Sequence, residues 1–273
     1  MEISEKGFTG IVGESGSGKT TLAESLLYLI EPPMIKMGGR VYYRDVDMEK
    51  IPKSERSRLY GEKLAIIPQY AMDALNPTLK IGGFIKDFAK SHKKDVEEIA
   101  KVAIERFRAI GLDEDVLNRY PHELSGGMRQ RVTIVISSLL NPEVLIADEP
   151  TSNLDVVKQQ VVLDFLEGLL RNGYVKTLVM VTHDLPLILE RADRLIIMYG
   201  GHVVETGDKE EVLKEPLHPY TKLFIKSIPP VGARIKQSRL RGIPGNPPDL
   251  RFPPPGCCLL YTSDAADERS SVD

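Results

Sequence analysis

The chain has few cysteines, no long apolar run and no charged-then-apolar segment at its start. Its two cysteines, Cys257 and Cys258, are adjacent, which excludes a disulfide framework and is typical of a reducing compartment. No run of about 18 or more apolar residues is present, so the sequence predicts no membrane-spanning helix. Without a signal segment, we expect a soluble protein that stays in the cytosol.

Net charge and composition exclude one class of partner and limit the number of hydrophobic cores. The net charge of -3 and pI of about 6.0 give no overall basic field, so nucleic acid is not an expected partner. The short basic cluster 92–94 is interpreted as a solvated helix start. With 273 residues, 42% hydrophobic and 27% charged, the chain can bury one large core, or one core plus a small lobe.

Residues 13–20, GESGSGKT, form a glycine-rich segment that we call the phosphate loop. Its glycines can turn backbone N–H groups inward, and a helix starting near Lys19 would direct its positive dipole end to the same point. Lys19 would contact the terminal phosphates and Thr20 would ligate Mg²⁺. An ordinary glycine-rich turn is disfavoured, because an apolar run precedes the loop and a helical pattern follows it. The expected nucleotide-binding residues here are Gly13, Glu14, Ser15, Gly16, Ser17, Gly18, Lys19, Thr20 and Thr21.

Short apolar runs alternate with helical patterns, as in a parallel α/β sheet. The helix predicted for 156–171 has one apolar face and ends at Asn172-Gly173, and Asp184 is expected to cap another helix. Residues 71–140 are mostly helical in pattern and should form an inserted lobe, with a single helix over 126–140. The proline-rich stretch 228–256 indicates an extended appendage. The predicted strands are 8–12, 144–147, 177–181 and 195–199.

Polar residues follow three of the apolar runs. Asp148 and Glu149 come directly after a buried strand, where α/β proteins bind their ligands. Asp148 would hold magnesium through water and Glu149 would polarise the attacking water. His183 is predicted to contact the γ-phosphate or position the water, and Gln69 to contact magnesium and water. Each could alternatively be a plain strand end, a satisfied histidine or an ordinary surface amide.

A second motif, LSGGMRQR at 124–131, precedes the predicted 126–140 helix. Ser-Gly-Gly before a helix is an anion-binding arrangement. However, the helix would span roughly 20 Å, which places Ser125, Gly126 and Gly127 far from the chain's own phosphate loop. We therefore expect these three residues to complete a nucleotide site on a second chain. A plain helix cap would explain the serine but neither glycine.

Together these motifs resemble the ATP-binding-cassette (ABC) ATPases over residues 7 to about 210. The resemblance implies a P-loop NTPase fold with a central, mainly parallel sheet and an inserted helical subdomain. It implies a head-to-tail dimer closing over two ATP molecules, with Asp155 among the nucleotide contacts, and closure that drives transmembrane partners. Six matching elements appear in the family's order: the phosphate loop, Gln69, the signature 124–131, Asp148-Glu149, the loop 152–155 and His183.

Further local matches are similar to the oligopeptide, dipeptide and nickel importer branch. They lie at 74–78, 120–123, 218–222 and 243–248. The branch implies a nucleotide-binding domain over 1–230, with its helical subdomain at about 71–140, and a C-terminal extension over 231–257. That extension often binds an iron–sulfur cluster, but only Cys257 could contribute, and a cluster needs about four thiolates.

Three features differ from the family pattern. The adenine-stacking aromatic expected upstream of residue 7 is missing, so we expect weaker ATP binding than in a version extended upstream. Asn153 replaces the usual alanine in a loop that touches the dimer partner. Residues 258–273 depart from the extension and are expected to be a non-native or disordered tail.

The leading hypothesis is an importer ATPase at the cytoplasmic face of the membrane. Its expected partners are transmembrane permease subunits, a second ABC ATPase and, indirectly, a solute-binding protein. Coupling to the permease would involve Gln69 and residues 70–76. The alternatives are a soluble ABC-type ATPase acting in translation, repair or cluster assembly, and a non-hydrolytic nucleotide-gated regulatory module.

Overall fold

The computed structural model describes residues 1–30, 32–69, 74–152 and 154–227. These residues belong to two compact units. Unit 1 contains Met1–Ile3, Thr9–Lys19 and the described residues from Thr182 onward; unit 2 contains Ser4–Phe8 and Thr20–Val181. The predicted extension 231–257, the tail 258–273, Asn153 and residues 70–73 of the proposed permease contact lie outside the described residues.

Strands and helices alternate along the described chain. The strands are β1 Gly7–Gly13, β2 Tyr42–Tyr43, β3 Val46–Asp47, β4 Leu64–Ile67, β5 Val144–Asp148, β6 Thr177–Thr182, β7 Arg194–Tyr199 and β8 His202–Asp208. The α-helices are α1 Lys19–Leu26, α2 Lys53–Leu59, α3 Ile81–Ser91, α4 Val96–Ala109, α5 Gly126–Ser138, α6 Val156–Arg171, α7 Leu185–Leu189, α8 Lys209–Lys214 and α9 Pro219–Lys226. Short 3-10 helices cover Glu114–Asn118 and Pro121–Glu123.

Unit 2 is built on three parallel strands, with β5 between β4 and β6. Ala65 lies opposite Leu145, which lies opposite Leu178. Strand β6 is buried along its whole length, and β5 is buried after its first residue. Continuous apolar strands of this kind are typical of parallel sheets covered on both faces. A separate antiparallel hairpin pairs β2 with β3.

The helices of unit 2 follow the predicted apolar periodicity. Helix α6 has the predicted bounds, with Asp155 as its N-cap and Gly173 (φ +73°) after its end. In α4 an apolar stripe is buried at Ile99, Ala103 and Phe107. These side chains form the apolar face because they recur at helical spacing.

Two local predictions in unit 2 are wrong. The helix predicted to run to Leu140 ends at Ser138, because Asn141 adopts a left-handed conformation (φ +53°) and Pro142 follows it. The cluster 92–94 is the connection after α3 rather than a helix start: His92 caps the end of α3, and α4 begins only after Asp95.

Unit 1 pairs β1 with β7 in parallel and β7 with β8 antiparallel. Val12 lies opposite Ile197, and the β7–β8 register shifts between Ile197 and Met198. A Cβ at Gly10 would lie 2.3 Å from Ile188 Cγ2, so glycine at this position lets α7 pack closely on β1. Apart from β8 and the separate β2–β3 hairpin, the strand pairs within each unit are parallel, which confirms the predicted α/β class.

The last described helix, α9, is fixed to β8 by Glu205. The Glu205 carboxylate accepts hydrogen bonds from the backbone N–H groups of Leu217 (2.8 Å) and His218 (3.0 Å). Burial raises the pKa of this carboxyl, but the Thr221 side chain and these backbone hydrogen bonds lower it below its usual value overall. The His218 ring caps α9 by accepting from Tyr220 N (3.1 Å).

No helix in the described part of the chain combines the length and apolar character needed to cross a bilayer.

Candidate functional site

The phosphate loop begins in unit 1, between β1 and α1. Gly16 (φ +79°) and Gly18 (φ +88°) adopt conformations that side chains disfavour. A Cβ at Gly13 would lie 2.2 Å from the carbonyl oxygen of Met198, so this position also requires glycine. The turn is fixed because Gly201 N donates to the carbonyl oxygen of Ser17 (3.1 Å).

Two side chains of the loop show that it fits a phosphate. Lys19, 6% exposed, donates from Nζ to the carbonyl oxygens of Gly13 (3.0 Å) and Glu14 (2.8 Å). Ser17 is 1% exposed, and its Oγ has no hydrogen-bond partner within the described ranges. Leaving a buried hydroxyl unsatisfied costs about 1–3 kcal/mol. An anionic oxygen in the loop would satisfy this hydroxyl and attract the ammonium group.

The remaining residues predicted for this loop are arranged around the same turn. Glu14 is half-buried, and its backbone carbonyl oxygen accepts a hydrogen bond from Ser17 N (3.2 Å). Ser15 is exposed. Thr20 is half-buried and Thr21 exposed, both in the first turn of α1, where unit 2 resumes. The first N–H groups of a helix lack intrahelical partners and favour an anion.

Asp148 and Glu149 end β5 in unit 2. Asp148 is 1% exposed, while Glu149 is half-buried. Glu149 has φ +45°, a left-handed conformation that costs a non-glycine residue about 1–3 kcal/mol. It is held by Glu149 N donating to the carbonyl oxygen of Val181 (2.9 Å), and by Ser152 N and Oγ donating to the Glu149 carbonyl oxygen at 3.1 and 2.9 Å. The backbone therefore fixes the direction in which the carboxylate leaves the strand.

Gln69 follows β4 within the same unit. It is half-buried and lies two residues beyond Ile67. Because β4 and β5 are neighbouring parallel strands, Gln69, Asp148 and Glu149 all lie at the carboxyl ends of adjacent strands. This is the edge where α/β proteins bind ligands. Amide and carboxylate oxygens there suit magnesium, whose preferred ligands are oxygen atoms.

His183 directly follows β6 and belongs to unit 1. Its side chain is exposed, whereas Thr182 before it is 3% exposed. Thr182 Oγ1 accepts from Asp184 N (3.0 Å), and Asp184 caps α7, as predicted, by accepting from Leu187 N (3.3 Å). The imidazole is therefore carried on a short, internally bonded turn.

The signature begins α5 in unit 2. Ser125 is exposed and is the N-cap, with its Oγ accepting from Met128 N (3.3 Å). A Cβ at Gly127 would lie 2.9 Å from Leu154 Cδ2. The glycine thus lets the loop before α6 approach the start of α5, a contact that the sequence motifs alone do not predict.

The side chains that follow in the signature bind carbonyl groups of the same unit. Gln130, 3% exposed, donates from Nε2 to the carbonyl oxygen of Pro150 (2.6 Å). Arg131, 8% exposed, donates from Nη1 to the carbonyl oxygens of Ile110 (3.1 Å) and Gly111 (2.9 Å). Burial lowers the pKa of the Arg131 guanidinium. The sequence signal for these roles was weak, because α5 also contains the polar residues Arg129, Thr133, Ser137 and Ser138.

Asp155 is engaged in local structure. Its carboxylate accepts from Lys158 N (3.0 Å) and pairs with Lys158 Nζ (2.5 Å), and the hydrogen bonds from Lys158 lower its pKa. The carboxylate is exposed and caps α6. A nucleotide contact by Asp155 stays a prediction.

Comparison with known proteins identifies two families in the sequence. The model of the ABC transporter family matches residues 1–152. The model of the oligopeptide/dipeptide transporter C-terminal region matches residues 204–261. This second match starts within β8, upstream of the extension expected at 231.

Two curated relatives cover most of the chain. A dipeptide transport ATP-binding protein, DppD, of Caldanaerobacter subterraneus is 41% identical over 94% of this chain and 79% of the relative. An oligopeptide transport ATP-binding protein, OppD, of Bacillus subtilis is 39% identical over 96% of this chain and 74% of the relative.

Solved structures show the same fold. The ATP-binding cassette MJ0796, solved as a dimer in a post-hydrolysis state bound to ADP and Pi, has a TM-score of 0.67 and 29% identity over 77% of this chain and 88% of the cassette. Another dimeric structure of this bacterial ABC transporter cassette gives a TM-score of 0.68. The chain therefore belongs to the ABC transporter family of ATP-binding ATPases, in its oligopeptide/dipeptide branch.

Proposed function

We propose that this chain is the ATP-binding and hydrolysing subunit of an importer for oligopeptides, dipeptides or related solutes. The carrying observation for nucleotide chemistry is the phosphate loop, where the buried Ser17 hydroxyl lacks a partner among the described residues and Lys19 folds over the loop carbonyls. Peptide import is supported by the match to the transporter C-terminal region and by relatives named for dipeptide and oligopeptide transport.

In the proposed mechanism, the phosphate loop binds the triphosphate of ATP. Lys19 leaves the carbonyl oxygens of Gly13 and Glu14 and contacts the terminal phosphates, where a charge-assisted hydrogen bond is about twice as strong as a neutral one. Ser17 Oγ and the loop N–H groups donate to the phosphate oxygens. The Thr20 hydroxyl, Gln69 amide oxygen and Asp148 carboxylate are the residues that would hold Mg²⁺, which neutralises phosphate charge when bound.

Glu149 orients and polarises the attacking water. Its carboxylate accepts a hydrogen bond from the water and takes up its proton as the water oxygen bonds to the γ-phosphorus. The bond between that phosphorus and the β–γ bridging oxygen breaks at the same time, which releases ADP and phosphate. The left-handed backbone at Glu149 keeps that carboxylate in one orientation before ATP arrives, so little reorganisation is needed. His183 donates a hydrogen bond to the γ-phosphate, which stabilises charge on the transferring group.

The signature serves a second chain. We propose that Ser125, Gly126 and Gly127 bind the triphosphate held by a partner ATPase subunit, of the same or a similar sequence, since the solved relatives are dimeric cassettes. Permease subunits would contact the region of Gln69 and residues 70–76, at the cytoplasmic face of the membrane, and a solute-binding protein would deliver the solute. A soluble ATPase outside transport is not favoured, because the relatives are named as transport proteins.

The test uses the chain assembled with its permease and partner ATPase in lipid vesicles. Uptake of a radiolabelled tripeptide should require ATP and the solute-binding protein. The Glu149→Gln variant should bind ATP normally but lose hydrolysis and uptake, with a fall in rate of about 10²–10⁴-fold for a lost general base. The exposed-surface variant Glu190→Gln should retain both activities.

Three outcomes would contradict parts of this proposal. ATP-driven uptake of other solutes, without uptake of peptides, would overturn the proposed solute class. Hydrolysis by Glu149→Gln at the parent rate would overturn the role of Glu149. A hydrolysis rate per molecule that stays constant on dilution to a solitary chain would overturn the two-chain mechanism.

A further inference from the structure

A cavity of about 500 Å³ lies in unit 2, apart from every residue assigned above to nucleotide chemistry. Helices α4 and α6 form two of its walls, and Asn141, Asn172 and Tyr174 contribute from the connecting segments. Sites for small molecules in proteins measure about 300–1,000 Å³. The cavity is therefore large enough for an organic ligand.

The cavity contains a buried positive charge, Arg106. This residue is 7% exposed, and its guanidinium donates to the carbonyl oxygen of Ser138 and to Asn141 Oδ1. The Tyr174 ring centroid lies 5.4 Å from the guanidinium carbon. Burial lowers the pKa of Arg106 to about 10, so the group is still protonated at neutral pH.

No carboxylate in the described ranges forms an ion pair with Arg106; its recorded partners are neutral oxygens and an aromatic ring. A buried charge that forms no ion pair is costly, because the more distant Glu105 carboxylate only partly offsets its desolvation. Two of the five guanidinium N–H donors are used by Ser138 and Asn141. The remaining donors can bind a planar anionic group such as a carboxylate.

Other lining residues restrict the ligand further. Glu105 and Asp164 also line the cavity and are exposed at its surface. A simple anion would be repelled by these carboxylates, and a simple cation would be repelled by Arg106. Phe165 and Leu169, which are nearly buried, give the cavity an apolar wall.

We propose that this cavity binds a small zwitterion with an apolar side chain, that is, a free amino acid or a short peptide. The ligand carboxylate pairs with Arg106, its ammonium group with Glu105 and Asp164, and its side chain packs on Phe165 and Leu169 beside the Tyr174 ring. The inference does not depend on the proposed transport function, because it rests only on the lining of this cavity.

The chain offers a matched pair of variants for testing the location. Gly168 lies in α6 on the cavity wall, and a Cβ added there meets no atom within 4 Å. Gly83 lies in α3, away from the cavity, and a Cβ there also meets nothing within 4 Å. Leucine favours a helix over glycine by about 0.5–1 kcal/mol, so Gly168→Leu and Gly83→Leu should both fold, but only the first fills the cavity.

The experiment is calorimetric titration of the full chain, without nucleotide, with L-leucine, leucyl-leucine and N-acetyl-leucyl-leucine amide. We expect saturable binding of at least one of the two zwitterions, and the preferred one identifies whether amino acids or peptides are the source. The uncharged blocked peptide should bind at least about 10-fold more weakly, since it cannot pair with Arg106 or the carboxylates. Gly168→Leu should abolish binding and Gly83→Leu should retain it.

The proposal is overturned if neither zwitterion binds, if the blocked peptide binds equally well, or if Gly83→Leu and Gly168→Leu bind alike. ATP titration of the same samples separates this result from the proposed function. Intact ATP binding with no zwitterion binding rejects the cavity site alone, whereas the reverse rejects the nucleotide site alone.

Discussion

The phosphate loop and the signature are both serine- and glycine-rich turns that open a helix, yet the structure prepares them differently. In the phosphate loop, the Ser17 hydroxyl lacks a partner among the described residues, and Lys19 donates to the carbonyl oxygens of Gly13 and Glu14 in its own loop. In the signature, Gln130 and Arg131 are bonded to carbonyl groups elsewhere in unit 2. The phosphate loop therefore has side-chain donors that can turn to a ligand. The signature uses its side-chain donors to fix its own helix.

Under the proposed function, this difference lets one chain carry two anion-binding turns with separate tasks. A turn whose lysine and hydroxyl can exchange partners gains binding energy when phosphate arrives. A turn in which Gln130 and Arg131 already donate to carbonyl groups offers the Ser125 hydroxyl and the first N–H groups of α5 as a preformed surface. We expect the first to determine ATP affinity and the second to determine turnover.

The largest expected effect is that of Ser125→Arg, which should lower the rate of hydrolysis without changing ATP affinity. A bulky cation at the exposed N-cap should block access of a second chain's nucleotide to the signature, so hydrolysis should fall at least about 100-fold. ATP affinity of the dilute single chain should remain unchanged, which equilibrium titration with a fluorescent ATP analogue can measure. Loss of single-chain affinity would mean that the signature serves its own nucleotide. Glu123→Gln, beside the motif, tests for a general disturbance of this turn.

The next effect concerns Lys19→Met, which retains the aliphatic stem but removes the charge. A charge-assisted hydrogen bond contributes about 1.5–3 kcal/mol, so the Kd for ATP should rise about 10- to 100-fold. The same titration measures it, with Lys222→Met on α9 as the control. If affinity is unchanged, the phosphate loop is not the determinant of binding and the comparison fails.

A smaller effect is expected for Gln130→Leu, which tests whether the signature helix is fixed by its buried side chains. The substitution removes the donor to the Pro150 carbonyl and leaves that buried oxygen unsatisfied, which costs about 1–3 kcal/mol. Urea denaturation should show this decrease in the free energy of unfolding, while ATP affinity stays the same. An unchanged stability would mean that this hydrogen bond does not hold the helix.

The smallest effect, Ser17→Ala, should have opposite signs in two measurements. Removing a buried hydroxyl that has no partner in the described structure should raise the free energy of unfolding by up to about 1 kcal/mol. ATP affinity should decrease, by less than about 10-fold, because a phosphate contact is lost. Ser15→Ala, at an exposed position of the same loop, removes no buried hydroxyl and should leave the free energy of unfolding unchanged. A loss of both stability and affinity at Ser17 would contradict the idea of a donor kept for the ligand.

The sequence predicted the helix bounds and buried strands that are determined by residues close together along the chain. The bounds of α6 follow from its apolar periodicity between Asp155 and Gly173, and β5 and β6 follow from continuous apolar runs. The fold class and ABC membership are confirmed. The roles of the site residues stay predictions, although the structure places Gln69, Asp148 and Glu149 at the ends of adjacent strands.

The features that the sequence did not predict depend on contacts between residues far apart along the chain. Strand β8 has the mostly polar sequence HVVETGD and no buried residue, so a search for apolar runs misses it. The buried guanidinium of Arg106 and the amide of Gln130 are fixed by carbonyl groups 32 and 20 residues away. No local pattern specifies such partners, because any exposed helix face could carry the same residues.

The hydrogen bond from Gln130 to Pro150 has a consequence for communication between two bound nucleotides. Pro150 directly follows Glu149, so the helix proposed to present the signature to a neighbour is linked, by the Gln130 amide, to the peptide next to the residue proposed to polarise water. A neighbour's γ-phosphate arriving at the start of α5 would thereby influence the water-polarising carboxylate of the opposite reaction centre. Alternation between the two centres could then arise inside each chain, from a single side chain acting as a mechanical linkage.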